Sequence, residues 1–423
     1  MTRIVNDLVR RYALSGKYNT MNMLYHTDER QLKDWIIEKR REFHRIPELS
    51  FHEFKTREKI MQILHEIGLE GKPIANTGIV ATIQGKDTGR TIAIRADMDG
   101  LKVTEEPTPL NREYISQHHG FMHSCGHDGH MAIVLGVAKL LMQNRESLSG
   151  PIRLIFQPGE EQPPGGALAV IEDGGLDGVD AIVGTHIFSI IESGEIKFKP
   201  GPMLAASTVI TIKIIGKGGH YVRPDICIDP IFIASQFISC IHTEIRKGLS
   251  DEQFILGIGK IQGGSQPNWT PDRVEISGSF RTFDHDNTKL IEEIIKQTLD
   301  NLMVSYSKQE IPGLPRYELD ILHGYPVLVN DPVFSNRAFT VLKKNFPVVN
   351  NEMDPHFGSE DFAYYLEKVP GVFILLGTGN IEKGITEGNH SSKFDIDEDI
   401  LITGAKMLTT IVLDFLNNPD EYI

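Results

Sequence analysis

With 423 residues, 40% apolar and 24% charged, the chain has the composition of a globular protein of about two domains. Its 43 Lys and Arg stand against 57 Asp and Glu, a net charge of −14 that argues against nucleic acid or an anionic membrane as the main partner. Three cysteines, Cys125, Cys227 and Cys240, are too few and odd in number for a disulfide framework, and they fit a reducing cytoplasm.

Residues 1–25 lack the continuous apolar core of a signal peptide, and no stretch is long and apolar enough to span a bilayer. The two Asn-x-Ser/Thr matches, at Asn268 and Asn389, read as chance without secretion. Apolar residues at helical spacing (Leu32, Trp35, Ile36, Phe43) predict a helix over 29–46, ended by Pro47, and a second follows over 55–67. Strands are predicted over 78–84 and 91–97, a helix over 131–142, a strand over 151–156, a helix over 166–173, and a short strand over 181–184 that delivers His186. This alternation indicates an α/β sheet with helices on both faces. After Pro202 the period changes. Residues 207–216 alternate as a strand with one solvated face, followed by a helix (230–247), two strands (254–262, 273–283), a helix (288–306) and a strand (317–323). That is the split βαββαβ order of a ferredoxin-like unit, expected as a domain over 205–325 inserted into a discontinuous α/β domain, 1–204 and 326–423. Helices over 333–345 and 361–369, a strand over 371–377 and a closing helix over 397–417 complete the chain.

The densest chemistry lies at His123-Ser124-Cys125-Gly126-His127-Asp128-Gly129-His130. Five of the sixteen histidines fall between His118 and His130. Thiolate and imidazole are the preferred ligands of zinc and similar ions, and a helix start just beyond them favours a thiolate. Three further strand ends carry acid or His: Asp97 and Asp99, Glu160 and Glu161, and His186. Ligands of open α/β sheets gather at such carboxyl ends. His390 lies in a polar loop far down the chain, and His186 or His390 alone would read as an ordinary loop histidine. Adjacent Glu160 and Glu161 would point opposite ways on extended backbone, so one can bind metal while the other takes a proton from water; a solvated acidic loop is the bland alternative. Arg281 could hold a carboxylate through its fork, with Asn268 adding a hydrogen bond, although an exposed strand residue is the simpler reading. No His-Glu-x-x-His, Gly-x-Ser-x-Gly, phosphate-loop or dinucleotide pattern occurs.

Together these segments resemble the M20 metallopeptidases, in the branch of N-acyl-amino-acid amidohydrolases, hippurate hydrolases and auxin-conjugate hydrolases. The landmarks are Arg41 to Glu48, Arg95 to Gly100, His123 to His130, Phe156 to Glu161, Gly216 to His220, Asn268 through Arg281 to Phe283, Gly358 to Phe362, and His390-Ser391. The resemblance implies two divalent ions per subunit, zinc first, with manganese, cobalt or nickel also tolerated. It implies Cys125, His127, Glu161, His186 and His390 as ligands and Glu160 as general base. Arg95 stands where many members have a metal-binding His, and Asp97 matches their supporting Asp. His220 is implied to reach a partner subunit's active site and polarise the scissile carbonyl. Asn268 and Arg281 are implied to hold the substrate carboxylate, and the inserted domain to act as a lid that forms a homodimer. The segment His220-Tyr221-Val222-Arg223-Pro224-Asp225 departs from the small residues and Met-Pro-His usual there. The expected activity is hydrolysis of N-acyl amino acids in the cytoplasm. A carboxypeptidase or dipeptidase on the same scaffold, and a non-catalytic metal-binding protein, are the alternatives.

Overall fold

The computed structural model describes residues 28–86 and 88–423, so the segment over 1–25 read for a leader lies outside the described residues. Along the chain, helix α1 (Glu29–His44) begins under an Asp28 cap, whose carboxylate accepts the N–H groups of Arg30 and Gln31. Its buried face carries Leu32, Ile36 and Phe43, together with Arg40 and His44. Helix α2 (Phe54–Glu66), strands β1 (Gly71–Ile74), β2 (Gly78–Ile83) and β3 (Ile92–Asp97) and helix α3 (His127–Met142) follow. Next come β4 (Ile152–Gln157), α4 (Gly166–Glu172), β5 (Ala181–Glu192) and β6 (Ile196–Lys197).

Two of these elements differ from expectation where it matters. Helix α3 starts four residues earlier than its apolar run, because Gly126 takes a left-handed conformation (φ 90°) that turns the chain into the helix at His127. Strand β5 runs for twelve residues, so His186 lies within the strand and not in a loop beyond it. Strand β1 shows no alternation in sequence because only Ile74 of its four residues is buried.

The chain then forms β7 (Ala206–Ile215), β8 (Gly219–His220), α5 (Pro230–Ile245), β9 (Phe254–Gly263), β10 (Trp269–Thr270), β11 (Arg273–Thr282), α6 (His285–Ser305) and β12 (Arg316–His323). Helix α7 (Pro332–Asn345), strands β13 (Val349–Asn350) and β14 (Gly371–Gly379) and helix α8 (Leu401–Asn417) close it. The helix expected over 361–369 shortens to one turn, Ala363–Leu366.

Two compact units result. The first holds the described residues up to Gly201, with Val329–Met353 and Tyr364–Ile423. Its sheet has the order β1-β2-β4-β3-β5-β14-β6-β13, with β4, β3, β5 and β14 mutually parallel. Every residue of β3 is buried, and α3 is buried on nearly all sides because β3, β5, α1 and α8 pack around it. The second unit holds Pro202–Leu328 and also takes in Asp354–Ala363. Its four long strands pair antiparallel in the order β9-β11-β7-β12, and α5 and α6 pack against them. Alternate β7 residues Ile210, Ile212 and Ile214 meet Phe237 and Ile241 of α5 and Ile291 and Ile295 of α6 in a core of its own.

Candidate metal centre

Parallel pairing assembles the centre within the first unit. Asp97 closes β3 opposite Gln157, which closes β4. Arg95 pairs with Gly184, so Asp97 and His186, two residues further along each strand, come level on the sheet. The turn after β4 brings Glu160 and Glu161 to this edge, and Cys125 and His127 arrive from the loop and first turn of α3.

The five ligands expected from the sequence converge. Cys125 Sγ lies 3.4 Å from His186 Nε2 and 3.2 Å from His390 Nε2. Glu161 Oε1 lies 3.4 Å from His390 Nε2 and 3.8 Å from His127 Nε2. A tetrahedral ion with bonds of about 2.0–2.3 Å separates its ligand atoms by roughly 3.3–3.8 Å, so these spacings suit cations seated among them. The atoms form two triads, Cys125/His127/His186 and Cys125/Glu161/His390, with the sulfur common to both. Among the described residues no hydrogen-bond partner meets buried His127 Nε2 or Glu161 Oε1, which is costly unless a cation binds them. The donor set therefore fits two divalent cations.

The imidazoles are oriented from behind. His127 Nδ1 donates to the Asp99 carbonyl at 2.9 Å and lies 3.2 Å from the Asp99 carboxylate; His186 Nδ1 donates to the Ile187 carbonyl at 2.8 Å. Each bond leaves Nε2 with its lone pair facing the centre. His390 is held in a left-handed conformation (φ 70°) by its N–H bond to the Ser124 carbonyl at 2.7 Å. Neighbouring Asn389 donates to the Cys125 and Ile187 carbonyls at 3.1 Å each, tying three loops together. His130, although buried in the same motif, has both nitrogens engaged. Nδ1 donates to Asp97 at 2.6 Å, and Nε2 accepts the Ile187 N–H at 2.8 Å, so neither nitrogen is left to face a cation. Arg95 also is no ligand. Its buried guanidinium donates to Asp97 at 2.6 Å and to Gln157 at 2.9 Å, placing a fixed cation behind the centre.

The electrostatics call for positive charge. Burial disfavours a charged His127, yet Asp97, Asp99 and Glu161 outweigh it and raise its pKa to about 10. Burial, then Glu161, Glu160 and Asp97, push the Cys125 thiol well up, so its thiolate needs a cation beside it. Burial acts against ionised Asp97, but His127, His130 and Arg95 hold its carboxyl well below the usual range.

Glu160 and Glu161 sit in a turn, and not on the extended backbone assumed from sequence. Both place a carboxylate oxygen within 4.8 Å of a His127 nitrogen and of each other. Glu160 is buried beside the candidate ligands, where a carboxylate can take a proton from water. The chain matches the profile described as "Peptidase family M20/M25/M40" over residues 93–414.

The chain belongs to this family. "Thermostable carboxypeptidase 1" of Saccharolobus solfataricus is 38% identical over 92% of this chain and 98% of its own. "N-acetyl-L-cysteine deacetylase" of Bacillus subtilis is 38% identical over 98% of this chain and 94% of its own. A solved structure of the Bacillus subtilis YXEP protein, described as a dinuclear metal binding peptidase from the M20 family, superposes with a TM-score of 0.79 at 33% identity, covering 92% of this chain and 99% of that one.

The remaining M20 candidates lie in the second unit. His220 forms a ribbon with Trp269 of β10, and Tyr221 N–H reaches the Asn268 carbonyl at 3.3 Å, so His220 and Asn268 are near neighbours. Arg281 lies near the end of β11 and donates to Ser359; burial lowers its pKa. In the departing loop, the Tyr221 ring stacks on His220 with centroids 5.5 Å apart, and the Arg223 fork turns back onto Asp225 at 2.6 and 2.9 Å. Arg223 is thus spent on its own loop.

Behind α3, Arg40, His44, Asp128 and Glu105 form a buried charged network that sequence reasoning left unread. His44 joins Asp128 at 2.7 Å to Glu105 at 3.0 Å. Its sequence signals were repeated basic residues on the apolar face of α1 and the presence of His44 and Asp128 within the family landmarks, none of which named the pairing.

Proposed function

We propose that this M20 enzyme hydrolyses the amide bond of N-acyl amino acids, releasing a carboxylic acid and a free amino acid. The observation that carries the reading is the pair of ligand triads sharing Cys125 with the Glu160 carboxylate beside them. Zinc suits this mixed sulfur, nitrogen and oxygen set, and manganese, cobalt or nickel would be tolerated. When bound, the ions supply Lewis-acid polarisation of the carbonyl and acidification of water. Glu160 takes a proton from the attacking water and passes it to the departing nitrogen as the C–N bond breaks. Asn268 and Arg281 hold the substrate carboxylate, and His220 donates to the carbonyl oxygen as charge develops there. The second unit serves as a lid and joins two copies in a homodimer, and the enzyme works in the cytoplasm. Among the described residues no helix is long and apolar enough to cross a membrane.

A metal-supplemented screen of N-acyl amino acids beside dipeptides and longer peptides tests the reaction. Glu160→Gln should lower kcat by about 10²–10⁴ with two ions retained. Retained turnover in that variant would remove Glu160 from the mechanism. A carboxypeptidase is the second reading, favoured by the name of the thermostable relative; preferential release of C-terminal residues from peptides would select it. Sedimentation analysis tests the dimer.

A further inference from the structure

The turn carrying Glu160 is gripped from behind by a residue the proposed chemistry does not use. Glu53 is completely buried. One oxygen of its carboxylate accepts the Gly159 N–H at 2.8 Å and the Phe51 N–H at 2.9 Å; the other bonds the Thr77 hydroxyl at 2.5 Å. Both peptides it binds belong to left-handed residues, of which only Phe51 is strained. Phe51 is left-handed (φ 63°), a conformation unfavourable for an aromatic residue, and Gly159 has φ 66°. The Phe51 ring fills the space above Gly159 so closely that a Cβ there would meet ring carbons at 2.5 Å. On the far side of Glu160, Asp99 accepts the Glu161 N–H at 2.9 Å and the Ser50 hydroxyl at 2.7 Å. Residues 50–53 and Asp99 thereby fix the peptides on both flanks of Glu160.

We propose that Glu53 is a positioning residue for Glu160: by anchoring the Gly159 and Phe51 peptides it holds the turn at the angle from which the Glu160 carboxylate meets the reacting water. This rests on the reading of Glu160 as the base. Neither hydrogen-bonding role demands a charge on Glu53. A glutamine can accept both N–H groups through its oxygen and donate to Thr77 through its nitrogen. Aspartate keeps the carboxyl group but retracts by one carbon and cannot reach Gly159.

Glu53→Ala, Glu53→Asp and Glu53→Gln are compared in the metal-loaded full chain. Ala and Asp should lower kcat by about 10- to 100-fold with KM within about twofold, since a displacement of about 1 Å at a catalytic group costs this much. Two ions should remain bound in each, and Gln should recover most of kcat. Hydrogen exchange in the metal-free protein gives a readout independent of turnover: the Gly159 amide should exchange faster in Ala and Asp and stay protected in Gln. If Ala fails to fold, Asp against Gln carries the same comparison. Equal kcat in Asp and Gln, or loss of metal in step with kcat, would overturn the proposal. Glu160→Gln is run alongside. If it keeps turnover, the base reading fails; if it loses turnover while Glu53→Asp does not, only the positioning role fails.

Discussion

Arg40 makes a sharp test of how the centre is supported. Its guanidinium is completely buried and meets three carboxylates: Asp128 at 2.7 Å, Asp395 at 3.2 Å and Glu398 at 3.2 Å. Arg40→Met keeps most of the packing volume and removes the charge. Taking one partner from a buried ion pair costs about 3–5 kcal/mol, because the other charge stays buried. Three carboxylates do not triple this figure, since each keeps a donor. Glu398 retains Arg41 at 2.6 Å, Asp395 retains the Tyr114 hydroxyl at 2.7 Å, and Asp128 retains His44 at 2.7 Å. The expected loss is therefore about 3–5 kcal/mol in total, or roughly 10 °C in Tm for a unit of this size. Urea unfolding of the metal-free protein, followed by circular dichroism, avoids a contribution from ion binding. The double variant Arg40→Met/Asp128→Asn should regain part of the loss by removing a buried charge that has lost its guanidinium. A loss below about 1 kcal/mol, the range of an exposed pair, would refute the reasoning.

Elemental analysis should find both ions weakened in Cys125→Ala, but one retained in His186→Ala and one in His390→Ala, because only the sulfur belongs to both triads; two tightly held ions in Cys125→Ala would contradict the shared position. Gly166→Ala would set a Cβ 1.8 Å from the Pro158 carbonyl oxygen, so the turn before Glu160 must shift, and kcat should fall by about tenfold or more; unchanged kinetics would show the turn to be compliant. Burial, reinforced by Asp99, raises the Glu53 pKa to about 7. The folded state therefore holds a proton that the unfolded chain releases above about pH 4.3, and stability from this group falls as pH rises from about 4.3 to 7. In the metal-free protein, Glu53→Gln should gain on the parent by up to about 3 kcal/mol between pH 4.5 and 8, read from urea midpoints; a flat difference would show that Glu53 ionises normally.

What the sequence determined is what neighbouring residues settle among themselves. Helical spacing in α1 and strand alternation in β7 announce their elements because one face of each is buried and the other solvated. The Cys125-x-His127 and Glu160-Glu161 patterns announce candidate ligands and a candidate base because those side chains are close neighbours along the chain. The same local evidence could not separate His127 from His130. One turn apart on α3, they differ in what meets each ring: Nδ1 faces the Asp99 carbonyl in His127 and the Asp97 carboxylate in His130, and Ile187 N–H occupies Nε2 of His130, whereas among the described residues no hydrogen-bond partner meets Nε2 of His127. Only the resemblance linked His390 to Cys125 across 265 positions before the tertiary structure brought them together, and tertiary structure alone joined Glu53 to Gly159 across 106 and Arg40 to Asp395 across 355. Such pairings arise when β3, β4, β5 and β14 align in register and helices close over them. Burial then forces each polar atom to find a partner that chain order does not name.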